Sequence, residues 1–143
     1  MIKQISIKTK FGWITALEKQ DKIFRIKFGK SNKNSNSKNL RKLKLNINNF
    51  FAKKTKKIRL KIKMNGTEVQ KKIWRELLKI KFGKTKSYSQ IGKKLGIHAR
   101  QVGKICGENK ILLAIPCHRV IRSDGSLGGF SGLGGLSLKK KLL

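Results

Sequence analysis

Apolar and polar residues alternate along much of residues 2–28, and this period of two is typical of half-buried β-strands. A polar turn at residues 19–22 separates two of the alternating stretches, as in a hairpin. The positions expected to face inward are Ile5, Ile7, Ile14, Ala16, Phe24, Ile26 and Phe28. The pattern predicts a small antiparallel sheet.

A helical period follows the polar, asparagine- and serine-rich loop at residues 31–39. The apolar positions at helical spacing are Leu40, Leu43, Ile47 and Phe50. They predict one amphipathic helix packed on the sheet. Residues 58–62 alternate again and predict another strand, or an extended link. No chemical motif occurs in this half, so residues 1–65 are predicted to form a scaffold domain.

The pattern changes at Gly66, where we place the boundary of a second domain at residues 66–143. Residues 67–70 and 87–90 both have the Ser/Thr-x-x-Gln form of a capping box, in which each side chain satisfies a backbone N–H. The first box opens a helix that is expected to end at Gly83. Its predicted inward positions are Val69, Ile73, Trp74, Leu77, Leu78 and Ile80.

The second capping box opens a short helix that ends at Gly96, and another helix begins at Ala99. Two short helices joined by a glycine-containing turn are typical of a helix-turn-helix motif, although many such pairs bind nothing. The second helix exposes Arg100, Gln101 and Lys104 near its start, where a recognition helix meets DNA.

A cysteine with unusual neighbours follows the apolar run at residues 111–114, which predicts a buried strand that the single proline of the chain ends. Cys117 is followed by His118 and Arg119, and nearby positive charge lowers the pKa of a thiol. The thiolate is the nucleophilic form, so Cys117 is a candidate nucleophile. Most lone cysteines are packing residues; that reading suits Cys106, which lies in a helical pattern.

Six of the fourteen glycines lie between Gly125 and Gly135, in a segment with few side chains to obstruct the close approach of a ligand. Residues 136–143 are expected to begin a helix. Asn109, ahead of the apolar run, is interpreted as a helix-ending or turn residue.

The composition permits nucleic acid as a partner. The net charge is +31, from 37 basic and 6 acidic residues, and such a field attracts polyanions. The lysines are spread along the whole chain, however, which also fits a compositional bias. No apolar run reaches the length of a membrane span, and alternation at the N-terminus excludes a signal peptide. Two cysteines without a metal-ligand cluster favour a reducing cytoplasm and exclude a structural metal.

The sequence at residues 116–120, Pro-Cys-His-Arg-Val, closely resembles that of the O6-alkylguanine-DNA alkyltransferases, also called methylated-DNA–protein-cysteine methyltransferases. Arg100 and Asn109 before it and residues 128–132 after it fit the same family. The resemblance is strong over residues 66–143 and weaker before them. It implies an α+β fold: an N-terminal ribonuclease-H-like antiparallel sheet with a helix, and a C-terminal helical domain with a winged-helix-like helix-turn-helix.

The resemblance implies a role for each matching residue. Cys117 would take an alkyl group from guanine O6 in one irreversible step, with His118 deprotonating it through a water and Tyr88 assisting the departure of guanine. Arg100 would fill the gap left by the extruded nucleotide. Further DNA contacts are expected at Gln90, Gln101, Lys104 and Arg119, a substrate loop at Val120, Ser131 and Gly132, and a hinge at Asn109.

The resemblance also implies a partner, duplex DNA carrying O6-alkylguanine or O4-alkylthymine, and no cofactor or metal, because the DNA itself donates the alkyl group. A monomer is expected. The family's Arg-Ala-Val-Gly and Asn-Pro sequences are Arg-Gln-Val-Gly at residues 100–103 and Asn-Lys at 109–110. The family's histidine-orienting glutamate lies a few residues past the Leu-Leu pair that here ends the chain at Leu143, so we expect either a truncated sequence or an incomplete histidine relay.

Three alternatives stay open on the sequence. A non-catalytic alkyl-lesion binder would be expected to lack Cys117, which this chain retains. A cysteine hydrolase would need a direct pair of Cys117 and His118, whose side chains point to opposite faces if the backbone is extended. A generic lysine-rich nucleic-acid binder leaves the Pro-Cys-His-Arg sequence unexplained.

Overall fold

The structure is a computed structural model, and it describes residues 2–10, 12–35, 37–52 and 61–125. The described chain contains a three-stranded antiparallel sheet and four helices, which confirms the predicted α+β class. Two compact units are present, Met1–Asn65 with Lys110–Ala114 and Gly66–Asn109 with Ile115–Leu143. The units divide at Gly66, but the prediction placed Lys110–Ala114 in the second domain. The roles assigned to domains 1–65 and 66–143 stay predictions.

The first unit is built on the meander β1 (Ile2–Thr9), β2 (Gly12–Lys19) and β3 (Lys22–Phe28), paired in chain order. Helix α1 (Lys38–Phe51) buries one apolar stripe, Leu40, Leu43, Ile47 and Phe50, as predicted. Ser37 caps this helix, since its Oγ accepts from the Leu40 N–H and donates to Glu18 Oε1 at 2.8 Å. A buried carboxylate therefore fixes the start of α1 against β2.

A β-bulge changes the predicted inward positions of β3. Leu17 pairs with Arg25 but its neighbour Glu18 pairs with Ile23, so one extra residue, Phe24, is accommodated in β3. An extra residue inverts the alternation of faces beyond it. Ile23 and Ile26 are consequently both buried, whereas Phe24, which was predicted to face inward, is half-buried.

The predicted strand at residues 111–114 is also wrong. Only Ile111 pairs, in an isolated parallel bridge to Ile26, and the chain then turns, with Leu113 at a φ of 69°. The apolar run is buried as expected, but burial alone does not distinguish a strand from an enclosed turn. Ile62 makes a similar isolated bridge to Ile23, whereas residues 53–60 lie outside the described residues.

The second unit begins with α2 (Glu68–Leu77), which the predicted capping box of Thr67 and Gln70 opens. The helix is shorter than predicted: it ends at Leu77, and the chain passes through a turn before Gly83. Three predicted inward residues, Ile73, Trp74 and Leu77, are buried, and Ile80 is buried in the turn. The predicted burial of Val69 and Leu78 is wrong, because they are 40% and 36% exposed.

The helix-turn-helix motif is present as α3 (Tyr88–Leu95) and α4 (Ala99–Gly107). Gly96 ends α3 with a φ of 71°, a left-handed conformation that glycine adopts without strain. The Ile97 N–H donates to the Gly92 carbonyl at 2.8 Å, and a Cβ at Gly92 would collide with the Ile97 carbonyl oxygen. The turn between the helices therefore requires a glycine one turn before the end of α3.

Two further contacts attach α2 to this motif. The indole Nε1 of Trp74 donates to the Ile105 carbonyl of α4 at 3.2 Å. Glu76 lies 2.7 Å from Lys94 of α3, and the hydrogen bond from Lys94 is the main reason that the pKa of Glu76 is lowered. The helix-turn-helix is thus held on a rigid support.

Candidate functional site

Cys117 begins a turn of 3₁₀ helix, Cys117–Arg119, and does not lie on an extended strand. Pro116, with φ −80° and ψ 64°, turns the chain immediately before it. Cys117 is a reduced cysteine, outside any disulfide, and it is 4% exposed, while His118 is 1% exposed. The extended geometry assumed for these two residues is wrong, so the opposite-faces argument against a cysteine hydrolase no longer holds.

Asn109 connects the end of α4 to the cysteine turn. Its side-chain Nδ2 donates to the Ile115 carbonyl oxygen at 2.8 Å, and its backbone N–H donates to the Cys106 carbonyl at 3.2 Å. The same Ile115 oxygen accepts from the Cys117 N–H at 2.8 Å. Asn109 and Ile115 are both buried, so loss of the Asn109 side chain would remove one of the two donors to a carbonyl oxygen in the interior.

A short parallel pairing places Tyr88 beside the cysteine turn. Strand β4 (Lys86–Ser87) leads directly into Tyr88, and β5 (Val120–Ile121) directly follows the 3₁₀ turn. Lys86 pairs with Val120 and Ser87 with Ile121. Val120, expected in a substrate loop, is completely buried in this pairing. Val120 packs in the interior next to the cysteine turn, and its role towards substrate stays a prediction.

The Tyr88 ring is half-buried against α4, where a Cβ at Gly103 would lie 3.7 Å from a ring carbon. Burial is the largest cause that raises the pKa of Tyr88 to about 12, followed by the charges of Cys106 and Cys117, while Arg122 opposes the shift. Tyr88 therefore keeps its proton at neutral pH and can act as a hydrogen-bond or proton donor. Both thiols lie close enough to influence its hydroxyl.

Arg119 is anchored within the protein. Its Nη1 donates to the Ile80 carbonyl at 2.8 Å, its guanidinium lies 5.9 Å from the centroid of the Phe82 ring, and burial lowers its pKa. These contacts attach the cysteine turn to the segment after α2. The DNA contact expected at Arg119 stays a prediction, and the contacts seen here are structural.

The candidate DNA-binding residues of α4, Arg100, Gln101 and Lys104, are all exposed. His98 caps this helix, with its Nδ1 accepting from the Arg100 N–H at 3.1 Å. Gln90 is also exposed, but its side chain is used in the capping box of α3, where Oε1 accepts from the Ser87 N–H at 2.8 Å. Its DNA contact, like those on α4, stays a prediction.

Comparison with known proteins matches residues 68–143 to the model of the family described as 6-O-methylguanine DNA methyltransferase, DNA binding domain. That segment contains more than half of the chain, including α2 and the whole site around Cys117. The chain belongs to the 6-O-methylguanine DNA methyltransferase family.

Individual relatives agree with this family. A methylated-DNA–protein-cysteine methyltransferase of Metallosphaera sedula is 34% identical over 146 residues, covering 100% of this chain and 92% of that protein. One of Candida albicans is 44% identical over 78 residues, which are 54% of this chain and 43% of that protein. The chain spans about half the length of several curated relatives, 43 to 59%.

A solved structure extends the similarity to the whole chain. The crystal structure of the Mycobacterium tuberculosis protein in complex with DNA has a TM-score of 0.88 and 28% identity, covering 98% of this chain and 89% of that chain. The 6-O-methylguanine DNA methyltransferase fold is therefore shared by both units.

Two features of the candidate site were not predicted. The His98 cap has a weak sequence signal, since histidine is not among the preferred N-cap residues. Arg122 is a cation whose charge acts on Tyr88, and the two residues lie too far apart in the sequence for a local pattern to connect them. Ser131 and Gly132, predicted for the substrate loop, lie outside the described residues, as do residues 136–143.

Within the described ranges, no three His, Cys, Asp or Glu residues are grouped as metal ligands. In the same ranges, none of the helices is both long enough and apolar enough to cross a bilayer.

Proposed function

We propose that this methyltransferase-family protein repairs alkylated DNA by transferring the alkyl group of O6-alkylguanine irreversibly to its own Cys117. The observation that supports it best is the position of the reduced Cys117 in a turn beside Tyr88, within the segment that matches the family's DNA-binding domain. O4-alkylthymine is a second candidate lesion, because it presents the same kind of alkyl–oxygen bond.

The reaction is a single displacement at carbon. The Cys117 thiol gives its proton, through a water, to His118, and the thiolate sulfur forms a bond to the alkyl carbon. The bond between that carbon and guanine O6 breaks, and its electron pair stays with the base. Tyr88, which keeps its proton because its pKa is raised, donates to the departing base and recovers a proton from solvent.

The proposed binding of duplex DNA is assigned to the helix-turn-helix. Guanine O6 is inaccessible within a duplex, so the nucleotide must be extruded, at a cost of about a few kcal/mol. Exposed Arg100, at the start of α4, is well placed to enter the gap and offset part of that cost. Gln101 and Lys104 on the same helix would contact the duplex, as would Gln90 and Arg119. Asn109 would act as the hinge between α4 and the cysteine turn.

Three further assignments belong to this proposal. The unit containing the sheet would serve as scaffold, and the unit containing Cys117 would bind DNA and carry out the transfer. Ser131, Gly132 and Val120 would enclose the extruded base. The protein would act as a monomer in the cytoplasm, where reduced cysteines such as Cys106 and Cys117 are stable.

The test is intact-mass analysis after incubation with duplex DNA containing O6-methylguanine. We expect a gain of one methyl group on wild-type protein and on a Cys106→Ser variant, which controls for the other buried thiol. A Cys117→Ser variant should gain none. Tight binding of the lesion by wild-type protein without any mass gain would reject alkyl transfer and indicate a non-catalytic lesion binder.

A further inference from the structure

A constant register relates the chain before α3 to the chain after Cys117. Lys86 pairs with Val120 and Ser87 with Ile121, so each partner is 34 positions further along the chain. Beyond the strands, Ser123 Oγ donates to Ser89 Oγ at 2.9 Å, again at a separation of 34. Between these pairs, the same register sets Arg122 opposite Tyr88.

The backbone around Arg122 is fixed on both sides. Strand β5 precedes it, the Ser89–Ser123 hydrogen bond follows it, and the Gly125 N–H donates to the Arg122 carbonyl at 3.0 Å. The Arg122 side chain is nevertheless exposed. Arg122 is thus an exposed cation on a turn whose backbone is held on both sides, and it lies next to Tyr88 in the register.

The electrostatics agree independently with this register. Arg122 is the cation whose charge acts on the Tyr88 hydroxyl, opposing the effect of the two thiols. An arginine at this position therefore lies within electrostatic range of the atom that is proposed to donate to the departing base. A nucleotide whose base reaches Cys117 carries its own flanking phosphate groups with it, and Arg122 is an exposed cation beside Tyr88 that these phosphates can meet.

We propose that Arg122 is a phosphate-binding residue, whose guanidinium binds a phosphodiester group flanking the extruded nucleotide. The inference rests on the proposed function, because it needs a nucleotide at Cys117. A guanidinium suits the task, since its planar donors bind two phosphate oxygens at once and its charge does not depend on pH. The contact positions the nucleotide and carries no information about base identity.

Two substrates that differ in their phosphate groups test the inference. Duplex DNA containing O6-benzylguanine presents phosphates, whereas the free base O6-benzylguanine presents none. For Arg122→Gln we expect the second-order rate of Cys117 alkylation to fall about tenfold with the duplex and to stay within about twofold of wild type with the free base. Arg122→Lys should recover part of the duplex rate, because it keeps the charge but loses the bidentate geometry.

The affinity for the lesion-containing duplex provides a second readout. Loss of one phosphate contact reduces the slope of log affinity against log salt by about 0.9. Arg75→Gln is the matched control, since Arg75 is exposed on α2 and its loss changes the net charge by the same amount. We expect the Arg75→Gln slope to equal that of wild type.

Two results would overturn the inference. If Arg122→Gln behaves like Arg75→Gln with both substrates, Arg122 binds no phosphate. If Arg122→Gln slows both substrates equally, it acts through Tyr88 and not on the DNA backbone. If neither substrate alkylates Cys117 of the wild-type protein, the proposed function is rejected. The salt slope of duplex binding would then decide by itself whether Arg122 binds a phosphate.

Discussion

Replacement of Gly92 by alanine should uncouple the two helices of the helix-turn-helix. Gly92 lies in α3, and its carbonyl accepts from the Ile97 N–H after the chain has turned at Gly96. An added Cβ would collide with the Ile97 carbonyl oxygen and approach the Ala99 nitrogen to 3.4 Å. Because the colliding groups are backbone atoms, they cannot move aside by changing a rotamer.

The change in unfolding free energy caused by Gly92→Ala is the sum of two opposing effects. Alanine is favoured over glycine within a helix by about 1 kcal/mol, and overpacking in a well-packed region costs about 1–3 kcal/mol. Gly107→Ala is the control for the first effect, because Gly107 is the last residue of α4 and a Cβ there meets nothing within 4 Å. Its gain from helix propensity is at most that of a glycine within a helix. The difference in unfolding free energy between the two variants should therefore approach the collision cost, about 1–3 kcal/mol.

Thermal unfolding and DNA binding measure the outcome. At roughly 4 °C per kcal/mol, Gly92→Ala should melt several degrees below Gly107→Ala. It should also bind undamaged duplex more weakly than wild type, because α4 is displaced relative to α3. A Gly92→Ala protein that melts with or above Gly107→Ala would refute the reasoning, since the turn would then have room for a side chain.

Two other residues give separate predictions. Tyr88 is the single tyrosine of the chain, so absorbance of the tyrosinate ion reports its ionisation directly, and the midpoint should lie near pH 12, against an ordinary value of 10.0. Since the pKa of Tyr88 is raised in the folded state, Tyr88 stabilises the fold fully below pH 10 and loses that contribution as the pH rises towards 12. Alkylation of Cys117 removes one of the charges that raise this pKa, so it should lower the titration midpoint. A midpoint near pH 10 would contradict the assigned burial. For Arg119→Gln, loss of the hydrogen bond to the Ile80 carbonyl should reduce the unfolding free energy by about 1–3 kcal/mol. Because Arg119 is also a proposed DNA contact, the salt slope of DNA binding should fall by about 0.9. An unchanged salt slope in a stably folded variant would limit Arg119 to its structural contacts.

Features encoded locally were predictable from the sequence. Two capping boxes, the αL glycine at Gly96 and the apolar stripe of α1 depend on residues within a few positions of one another, and all are present. The motif around Cys117 identified the candidate nucleophile because its residues are adjacent in the chain.

Features that depend on distant pairing were not predictable. The bulge at Phe24 inverts the alternation of faces in a strand whose own sequence alternates regularly, and only its pairing with β2 reveals the bulge. The run at residues 111–114 is apolar because it is enclosed, and its turn at Leu113 leaves no periodic signal. The register that sets Arg122 opposite Tyr88 joins residues 34 positions apart, so no local pattern contains it.

The Ile115 carbonyl oxygen has a consequence for communication between DNA and the thiol. It accepts from both the Asn109 side chain and the Cys117 N–H, so a displacement of α4 is transmitted to the reactive turn through one shared acceptor. Thermodynamic linkage makes such coupling reciprocal: if DNA alters the free energy of alkylating the thiol, alkylation alters the affinity for DNA by the same factor. Spent and fresh molecules should therefore compete unequally for a damaged duplex.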